Sequence, residues 1–382
     1  GEARDVVRLG VVAMEPDVPE DEVVVRWIDV EEAGGQATVP HGPVWSLDGS
    51  RVVAQFMGED HEDVWRAELD LETATARVVA HDHDEAWIGG PPIQANRLAP
   101  ALMEWLPDGT LVFASERSGW SHLWALDRQG VARPLTAGDW EVRGAALSPD
   151  RSTWLLQAGR EHPSEDHLYT MPARGGRLER LTSLPGRHAG WWSPDGRRIA
   201  VVSSESTALP DLWLRTAEPA DGGARITVSG TEALRRHPLS RPEMVSFEHP
   251  DGGPLWAALY RPAAANAERA AVIHVHGGGY RQFAHRGYSV YGHALHLGFI
   301  HWLLQEGYTV LDFDYRGSAG FGRDYRTDIA DAMGISDTDG AVAAAGWLVE
   351  HADIDPGRIG IYGVSYGGFP PLALLFRSPG AS

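Results

Sequence analysis

A segment that recurs four times in the first 240 residues limits the folds open to this chain more than any other feature. Each copy has an aromatic or apolar residue, a turn with an aspartate, and two strands separated by a polar gap. The turn aspartates are Asp48, Asp108, Asp150 and Asp195, which lie 60, 42 and 45 residues apart. In Ser-Pro-Asp-Gly, proline presets φ, aspartate bonds its own backbone, and glycine accepts a positive φ. A period of about 40–50 residues with several short strands predicts a β-propeller, one repeat per blade.

The long first interval requires an extra segment, and residues 81–100 supply it as a predicted surface loop. The run from His81 to Glu85 has metal-ligating side chains, but no further ligand at a fixed offset is visible. We therefore predict an acidic loop and no metal. The tryptophans of the repeats are predicted to pack between blades; they are Trp45, Trp105, Trp124, Trp192 and Trp213.

Near residue 240 the pattern changes to alternating strands and helices, which implies parallel strands with crossover helices. An antiparallel hairpin at 247–261 is followed by predicted strands at 271–275, 309–313 and 358–362, and by helices at about 292–306 and 338–351, the second with Asp337 as N-cap. We thus predict a partial β-propeller of about four to five blades at 1–240. It precedes an incomplete α/β-hydrolase domain with a mostly parallel sheet at 241–382.

The segment Gly363-Val-Ser365-Tyr-Gly367 lies between the last predicted strand and an apolar segment, as in a nucleophile elbow. The glycines Gly363 and Gly367 let the backbone approach closely around a strained serine, so Ser365 is the predicted nucleophile. An HGGG loop begins 89 residues upstream, where glycine leaves backbone N–H groups unshielded. The predicted oxyanion donors are the N–H of Tyr366 and that of Gly277 or Gly278.

Pro370 and Pro371 follow the elbow closely. Because proline clashes with the carbonyl four residues back, a helix that began at Tyr366 would be kinked. We expect either a displaced helix start or a bend.

The composition excludes several classes of function. A formal net charge of −20 disfavours nucleic-acid binding. All 33 basic residues are arginine, which excludes Schiff-base and P-loop lysine chemistry, and the lack of cysteine excludes disulfides and thiol nucleophiles. No apolar run reaches the roughly 20 residues of a membrane helix. We predict no cofactor, while the compartment and a homo-oligomeric state are left open.

Three segments together resemble one family: HGGGY, DYRGSAGFGRDYR from Asp314, and GVSYGGF. They are similar to the prolyl oligopeptidase family of serine peptidases, in its dipeptidyl peptidase IV-like or acylaminoacyl peptidase-like branch. The repeat region adds SERSGWSHLWALD, GDWEV and EHPSEDHLY, which look like the dipeptidyl peptidase IV branch. The resemblance implies an N-terminal propeller on an α/β-hydrolase domain, and hydrolysis of peptide bonds in short peptides.

Two features depart from that branch. Its members place a tyrosine side chain in the oxyanion hole just after the first hydrolase strand, whereas this chain has His276 at the matching position. A side-chain oxyanion donor here would therefore be an imidazole. Members of the branch also bind the substrate's free amine with a pair of propeller glutamates. The adjacent glutamate pair in this sequence, Glu31-Glu32, lies outside the matching segment.

After Ser365, 17 residues follow without His, Asp or Glu. We expect the chain to be truncated at both ends, with the catalytic Asp and His beyond residue 382, and the fragment alone to be inactive. Two other functions stay open: an esterase on the same fold, and a non-catalytic propeller module that binds a protein partner.

Overall fold

The computed structural model describes residues 8–12, 24–28, 30, 38–93, 101–232, 236, 239–278, 281–288 and 293–377. The backbone contacts divide the chain into two compact units. The first contains residues 1–138 and 173–176, and the second contains 139–172 and 177–382. The predicted domain boundary at residue 240 falls inside the second unit and stays a prediction, and the Glu31-Glu32 pair lies outside the described residues.

The first unit contains antiparallel sheets built from strands that are consecutive in sequence. A two-stranded sheet pairs β1 (Leu9–Val11) with β2 (Arg26–Ile28). Two four-stranded sheets follow: β3 (Thr38–Trp45), β4 (Val52–Gly58), β5 (Asp63–Asp70) and β6 (Thr75–His83), then β7 (Met103–Trp105), β8 (Leu111–Ser115), β9 (His122–Leu126) and β10 (Ala132–Pro134). Each four-stranded sheet corresponds to one sequence repeat, as expected of propeller blades.

The second unit continues this pattern with two further four-stranded antiparallel sheets. They are β11 (Val142–Leu147), β12 (Thr153–Ala158), β13 (His167–Pro172) and β14 (Glu179–Arg180), then β15 (Arg187–Trp192), β16 (Ile199–Glu205), β17 (Ala208–Arg215) and β18 (Ala224–Arg225). In its described residues the repeat region therefore has four four-stranded antiparallel sheets, one for each turn aspartate.

Two tryptophans join neighbouring sheets in the same way. The Trp105 indole N–H donates to Val44 O at 3.1 Å in the first unit, and the Trp192 indole N–H donates to Ala146 O at 3.4 Å in the second. Trp124 and Trp213 pack against the apolar clusters between the sheets. The prediction of packing between blades is wrong for Trp45, whose surface is 52% exposed.

The turn aspartates behave as the repeat predicts. Asp48, Asp150 and Asp195 each accept hydrogen bonds from the serine hydroxyl two residues before and from the backbone N–H two residues after, and Asp108 accepts one from the N–H of Thr110. These bonds are made only when the carboxylate side chain folds back over its own turn. The sequence prediction of four Asp-centred turns is confirmed.

One predicted loop is instead part of a strand. His81 and His83 lie on β6, where their rings approach Asp63 Oδ1 of β5 at 2.6 and 2.9 Å. The predicted loop therefore begins later than residue 81, because the β5–β6 hairpin continues to His83. Over the described part of the chain, no group of three or more histidine or carboxylate side chains is arranged to hold a metal.

The last sheet has five strands in the order β19-β20-β22-β21-β23. Its strands are β19 (Glu243–Glu248), β20 (Pro254–Tyr260), β21 (Ala271–Val275), β22 (Thr309–Asp314) and β23 (Ile359–Gly363). The hairpin β19–β20 is antiparallel, as predicted, and β20 is antiparallel to β22. The strands β21, β22 and β23 run parallel, which confirms the crossover connections inferred from the sequence.

Four helices accompany this sheet in the described residues: α1 (His293–Gln305), α2 (Arg323–Thr327), α3 (Ser336–His351) and α4 (Phe369–Arg377). Helix α3 begins two residues earlier than predicted, so Asp337 lies in its first turn and is not its N-cap. Its buried face contains Ala341, Ala344 and Leu348, whereas Val342 is 46% exposed. No described helix has the length and apolar character required to cross a bilayer.

Candidate active site

Ser365 lies at a sharp turn between a parallel strand and a helix. β23 ends at Gly363, Val364 is extended, and Ser365 has φ of +59° at the start of a short 3₁₀ turn, Ser365–Gly368. A non-glycine residue in this left-handed region carries backbone strain. Such strain concentrates at functional sites, where the surroundings hold it in place. Ser365 is an exposed residue.

The prolines after the elbow have a position that they tolerate. Helix α4 begins at Phe369, after the 3₁₀ turn, so Pro370 and Pro371 lie in its first turn. Because the first N–H groups of a helix have no intrahelical acceptor, proline loses nothing there. Of the two outcomes expected from the sequence, the displaced helix start is the one observed.

The elbow glycines are required by close backbone approaches. A methyl group on Gly363 would overlap with the carbonyl oxygen of Gly367, and one on Gly367 would overlap with that of Val275. Val275 is the last residue of β21, so the elbow packs directly on the strand that leads into the HGGG loop. These contacts leave no room for a side chain at either glycine.

The residues His276–Gly278, here called the glycine loop, lie against the elbow. A methyl group on Gly277 would overlap with Val364 O and would lie 3.1 Å from Ser365 Cβ. Gly278 has φ of +60°, and open space surrounds the position of its missing side chain. The Tyr315 hydroxyl donates to Gly278 O at 3.3 Å. The structure therefore brings the predicted nucleophile and the predicted oxyanion loop together.

The side chain of Tyr366 is fixed on three sides. Its hydroxyl donates to Asp337 Oδ2 at 2.6 Å, and its ring contacts those of Tyr315 and Phe369 at 5.7 and 5.9 Å between centroids. Burial, followed by the hydrogen bond to Asp337, raises the pKa of Tyr366, so the phenol is neutral at physiological pH. Its backbone N–H, the predicted oxyanion donor, is thus attached to an anchored side chain.

His276 is fully buried and faces polar groups of the β22 end of the sheet. Its Nε2 lies 2.8 Å from Ser318 Oγ and 3.4 Å from Asp314 Oδ1, and its Nδ1 lies 3.4 Å from Gly277 O. The ring stacks on Tyr315 at 4.5 Å. Since both ring nitrogens have protein partners, this placement does not favour the predicted role of His276 as a side-chain oxyanion donor.

Asp314 is a second residue that supports the glycine loop. Its carboxylate is fully buried and accepts the N–H groups of Phe283 and Ala284 at 2.8 and 3.0 Å. Burial raises the pKa of Asp314 well above its usual value. On the same parallel strands, His274 Nδ1 lies 2.8 Å from Asp312 Oδ1, and both side chains are buried.

The sequence predicted a nucleophile and oxyanion donors, and it missed the residues that hold them in place. Asp314, Tyr315 and Ser318 all belong to the quoted segment DYRGSAGFGRDYR, and their place at the end of a parallel strand and directly after it was a usable signal. Asp337 gave no such signal, because its partner Tyr366 is 29 residues away. Among the described residues, no side chain hydrogen-bonds to Ser365 Oγ.

An antiparallel repeat region, followed by a mixed sheet in which a parallel strand leads into a serine elbow, defines a propeller-bearing α/β-hydrolase. Residues 1–190 match the model of the dipeptidyl peptidase IV (DPP IV) N-terminal region, and residues 298–380 match that of the prolyl oligopeptidase family. The chain belongs to the prolyl oligopeptidase family, in its dipeptidyl peptidase IV-like branch.

Individual relatives agree with this assignment. A probable dipeptidyl-aminopeptidase B of Aspergillus terreus is 25% identical over 94% of this chain and 43% of its own length. One of Aspergillus clavatus is 26% identical over 87% of this chain and 37% of its own. The crystal structure of Porphyromonas gingivalis dipeptidyl peptidase 4 superposes with a TM-score of 0.77 at 19% identity, over 98% of this chain and 55% of that one, which shows a shared fold. The chain thus spans about two fifths of the length of these curated relatives.

Proposed function

We propose that the protein is a serine peptidase that hydrolyses peptide bonds of short peptides through an acyl-enzyme. The observation that carries this proposal is the strained, exposed Ser365, packed against Gly277 by contacts that exclude a side chain at Gly277, Gly363 and Gly367. A serine held in this way, with backbone amides beside it, is suited to acyl transfer.

In the proposed reaction, Ser365 Oγ attacks the substrate carbonyl carbon while an imidazole removes the hydroxyl proton. The oxyanion that forms accepts hydrogen bonds from the N–H of Tyr366 and from that of Gly277 or Gly278. The imidazole then protonates the leaving amine, and water hydrolyses the acyl-enzyme by the same steps in reverse. We place this imidazole and its orienting carboxylate outside the described residues.

For substrate class, we propose removal of dipeptides from the N-terminus of short peptides. The support comes from the names of the relatives, which are dipeptidyl-aminopeptidases. We also propose that the two predicted domains have different roles. The propeller at 1–240 limits the size of the substrate, and residues 241–382 supply the nucleophile.

Two assays on the full-length protein test these proposals. A fluorophosphonate probe should label the wild type and leave Ser365→Ala unlabelled. A dipeptide anilide with a free amine should be cleaved, and its N-acetylated form should not. No labelling of the wild type contradicts every catalytic role of Ser365. Turnover of p-nitrophenyl esters without turnover of any peptide anilide favours the esterase.

A further inference from the structure

The segment after the glycine loop, residues 281–288, is held by two of the antiparallel sheets of its own compact unit. The N–H of Arg286 donates to Ser164 O at 2.8 Å, and the N–H of Ser206 donates to Arg286 O at 2.7 Å. Ser204 Oγ donates to Tyr288 O at 3.2 Å. Ser204 lies near the end of β16, Ser206 directly follows that strand, and Ser164 precedes β13. The segment is therefore fixed at backbone level from both sheets.

Asp166, which directly precedes β13, is the charged centre of this contact. Its carboxylate is completely buried and forms ion pairs with Arg143 Nε and Arg187 Nε, each at 2.9 Å. His285 Nε2, from the held segment, lies 3.6 Å from Asp166 Oδ2. Burial raises the pKa of Asp166, but the two guanidinium groups outweigh it and hold the pKa well below its usual range. Asp166 is therefore an anion at neutral pH.

A second path runs from Asp166 to the segment through Arg143. Arg143 Nη1 donates to Gln282 Oε1 at 2.6 Å. Arg143 Nη2 and Gln282 Nε2 both donate to Pro163 O, each at 2.8 Å. The amide of Gln282 is thus bonded on both sides. Without the charge of Asp166, the guanidinium of Arg143 would lose its buried counter-ion and its orientation.

The held segment also contacts the residues that support the glycine loop. Phe283 donates its N–H to Asp314, and its ring lies tilted against that of His276 with 4.9 Å between the centroids. On the other side, Arg281 O accepts the N–H of Ala319 at 3.0 Å, next to Ser318, which bonds His276. A displacement of residues 282–285 therefore moves the residues that position the glycine loop.

We propose that Asp166 is a positioning residue for the oxyanion hole, because it fixes Gln282 through Arg143 and contacts His285 directly. This inference rests on the proposed function. Oxyanion donors act only within a narrow range of distance from the developing charge, and a shift of about 1 Å in such a site costs roughly 100-fold in rate. Asp166 belongs to the repeat region, and among the described residues no hydrogen bond or ion pair joins it to Ser365, so its effect on catalysis is indirect.

The test compares Asp166→Asn with Asp211→Asn in the full-length protein. Asp211 is the matched control: it is 4% exposed, pairs with Arg225, and accepts hydrogen bonds from Thr227 and Ser229, none of which lies in 281–288. We expect Asp166→Asn to lower kcat by roughly 10- to 100-fold with KM changed less than about threefold. Asp211→Asn should keep both constants within about twofold.

A peptide aldehyde provides a readout that a loss of stability alone would not move. Ser365 Oγ adds to the aldehyde carbon, and the resulting hemiacetal oxygen occupies the oxyanion hole. Its inhibition constant should therefore rise in Asp166→Asn by about the same factor as kcat/KM falls, and the constant for a product peptide should stay unchanged. The melting temperature of each variant, measured in parallel, separates unfolding from misplacement.

Gln282→Met keeps the comparison decisive if Asp166→Asn does not fold, since it removes the bond to Arg143 without changing a charge. It should lower kcat by about 3- to 10-fold. The inference is wrong if kcat and aldehyde affinity stay within twofold of the wild type in Asp166→Asn or, where that variant is unfolded, in Gln282→Met. Ser365→Ala distinguishes the two failures: retained activity in that variant overturns the proposed function, whereas its loss alongside an unaffected Asp166→Asn overturns only the role of Asp166.

Discussion

Arg151 in the turn of the third repeat and Ser365 in the elbow have nearly the same unusual backbone, with φ of +58° and +59°. The other three repeats have glycine at the position of Arg151, with φ of +70°, +82° and +68° at Gly49, Gly109 and Gly196. A left-handed conformation costs a residue with a Cβ about 1–2 kcal/mol. Because three of the four turns avoid that cost, the fold does not need a side chain at Arg151.

The surroundings of Ser365 are different. Three glycines near the serine approach neighbouring backbone so closely that none of them can carry a methyl group; they are Gly277, Gly363 and Gly367. Here the strain is imposed by packing, and it presents an exposed serine beside the glycine loop. The comparison shows that a positive φ indicates function only where the neighbouring residues enforce it.

Replacing Ser365 should produce the largest effect. Ser365→Gly removes the nucleophile, and we expect kcat to fall by roughly 10⁴- to 10⁶-fold. Its free energy of unfolding should exceed that of Ser365→Ala by about 1 kcal/mol, because glycine accepts the left-handed φ and alanine does not. Turnover and denaturant unfolding of both variants provide the measurements. Equal stabilities would show that the elbow is not strained.

The second-largest effect is expected from a substitution at an elbow glycine. Gly367→Ala places a methyl group on Val275 O and His276 O, which forces the elbow away from the strand that leads into the glycine loop. We expect the rate of fluorophosphonate labelling to fall by about 10³-fold, as when an oxyanion donor is lost. Gly360→Ala is the matched control, because a methyl group there would come no closer than 4.0 Å to its nearest neighbour, Ala271 O. Similar losses in both variants would contradict the packing explanation.

A smaller effect is expected from loss of the hydrogen bond between the Tyr366 hydroxyl and Asp337. Tyr366→Phe removes the hydrogen bond to buried Asp337, and we expect about a 10-fold loss in kcat and a loss of about 1–3 kcal/mol in stability. Tyr362→Phe is the control, because the Tyr362 hydroxyl is buried without a hydrogen-bond partner among the described residues. That variant should be neutral or slightly more stable. A Tyr366→Phe variant with wild-type kcat would show that the side chain does not position the backbone N–H.

The difference between turn and elbow also explains what the sequence could predict. The Asp-centred turns and the residues of the elbow are local patterns, in which spacing and side-chain chemistry specify the geometry. For α4, Pro370 and Pro371 predicted either a displaced start or a bend, and the displaced start is the outcome that the structure has. These features were predicted and are observed.

Contacts between residues distant in sequence were not predictable in this way. Asp337 was interpreted as a helix cap from its neighbours, yet it accepts the hydroxyl of Tyr366. His276 was interpreted from its place in a motif, yet Ser318 and Asp314 determine where its ring lies. In both cases the deciding partner comes from another strand or helix, which tertiary packing selects and local propensity does not.

Exchanging arginine and glycine between two of the Asp-centred turns tests whether the backbone strain at Arg151 is unnecessary for the fold. Arg151→Gly should raise the free energy of unfolding by about 0.5–1 kcal/mol, and the reciprocal Gly196→Arg should lower it by about 1–2 kcal/mol. The Gly196 position offers room for a Cβ, with Pro149 Cδ at 3.4 Å, so the backbone conformation dominates the cost. Neither change should alter kcat. A stabilising Gly196→Arg would show that the repeats are not equivalent.

The smallest effect concerns the pH dependence of stability. Hydrogen bonds from Ser148 and Ser152 lower the pKa of Asp150, so its contribution is complete above the unfolded value of about 4 and is lost as the pH falls through the lower folded value. Burial raises the pKa of Asp314, so its contribution is complete below about pH 4 and is lost as the pH rises. Relative to Asp150→Asn, the wild type should therefore lose stability on acidification. Relative to Asp314→Asn, it should lose stability as the pH increases towards neutrality.

Urea unfolding between about pH 2 and pH 7 measures both differences in stability. The difference in unfolding free energy between the wild type and each variant should change with pH in opposite directions for Asp150→Asn and Asp314→Asn. The same direction for both variants would contradict a solvated Asp150 carboxylate and a desolvated Asp314 carboxylate.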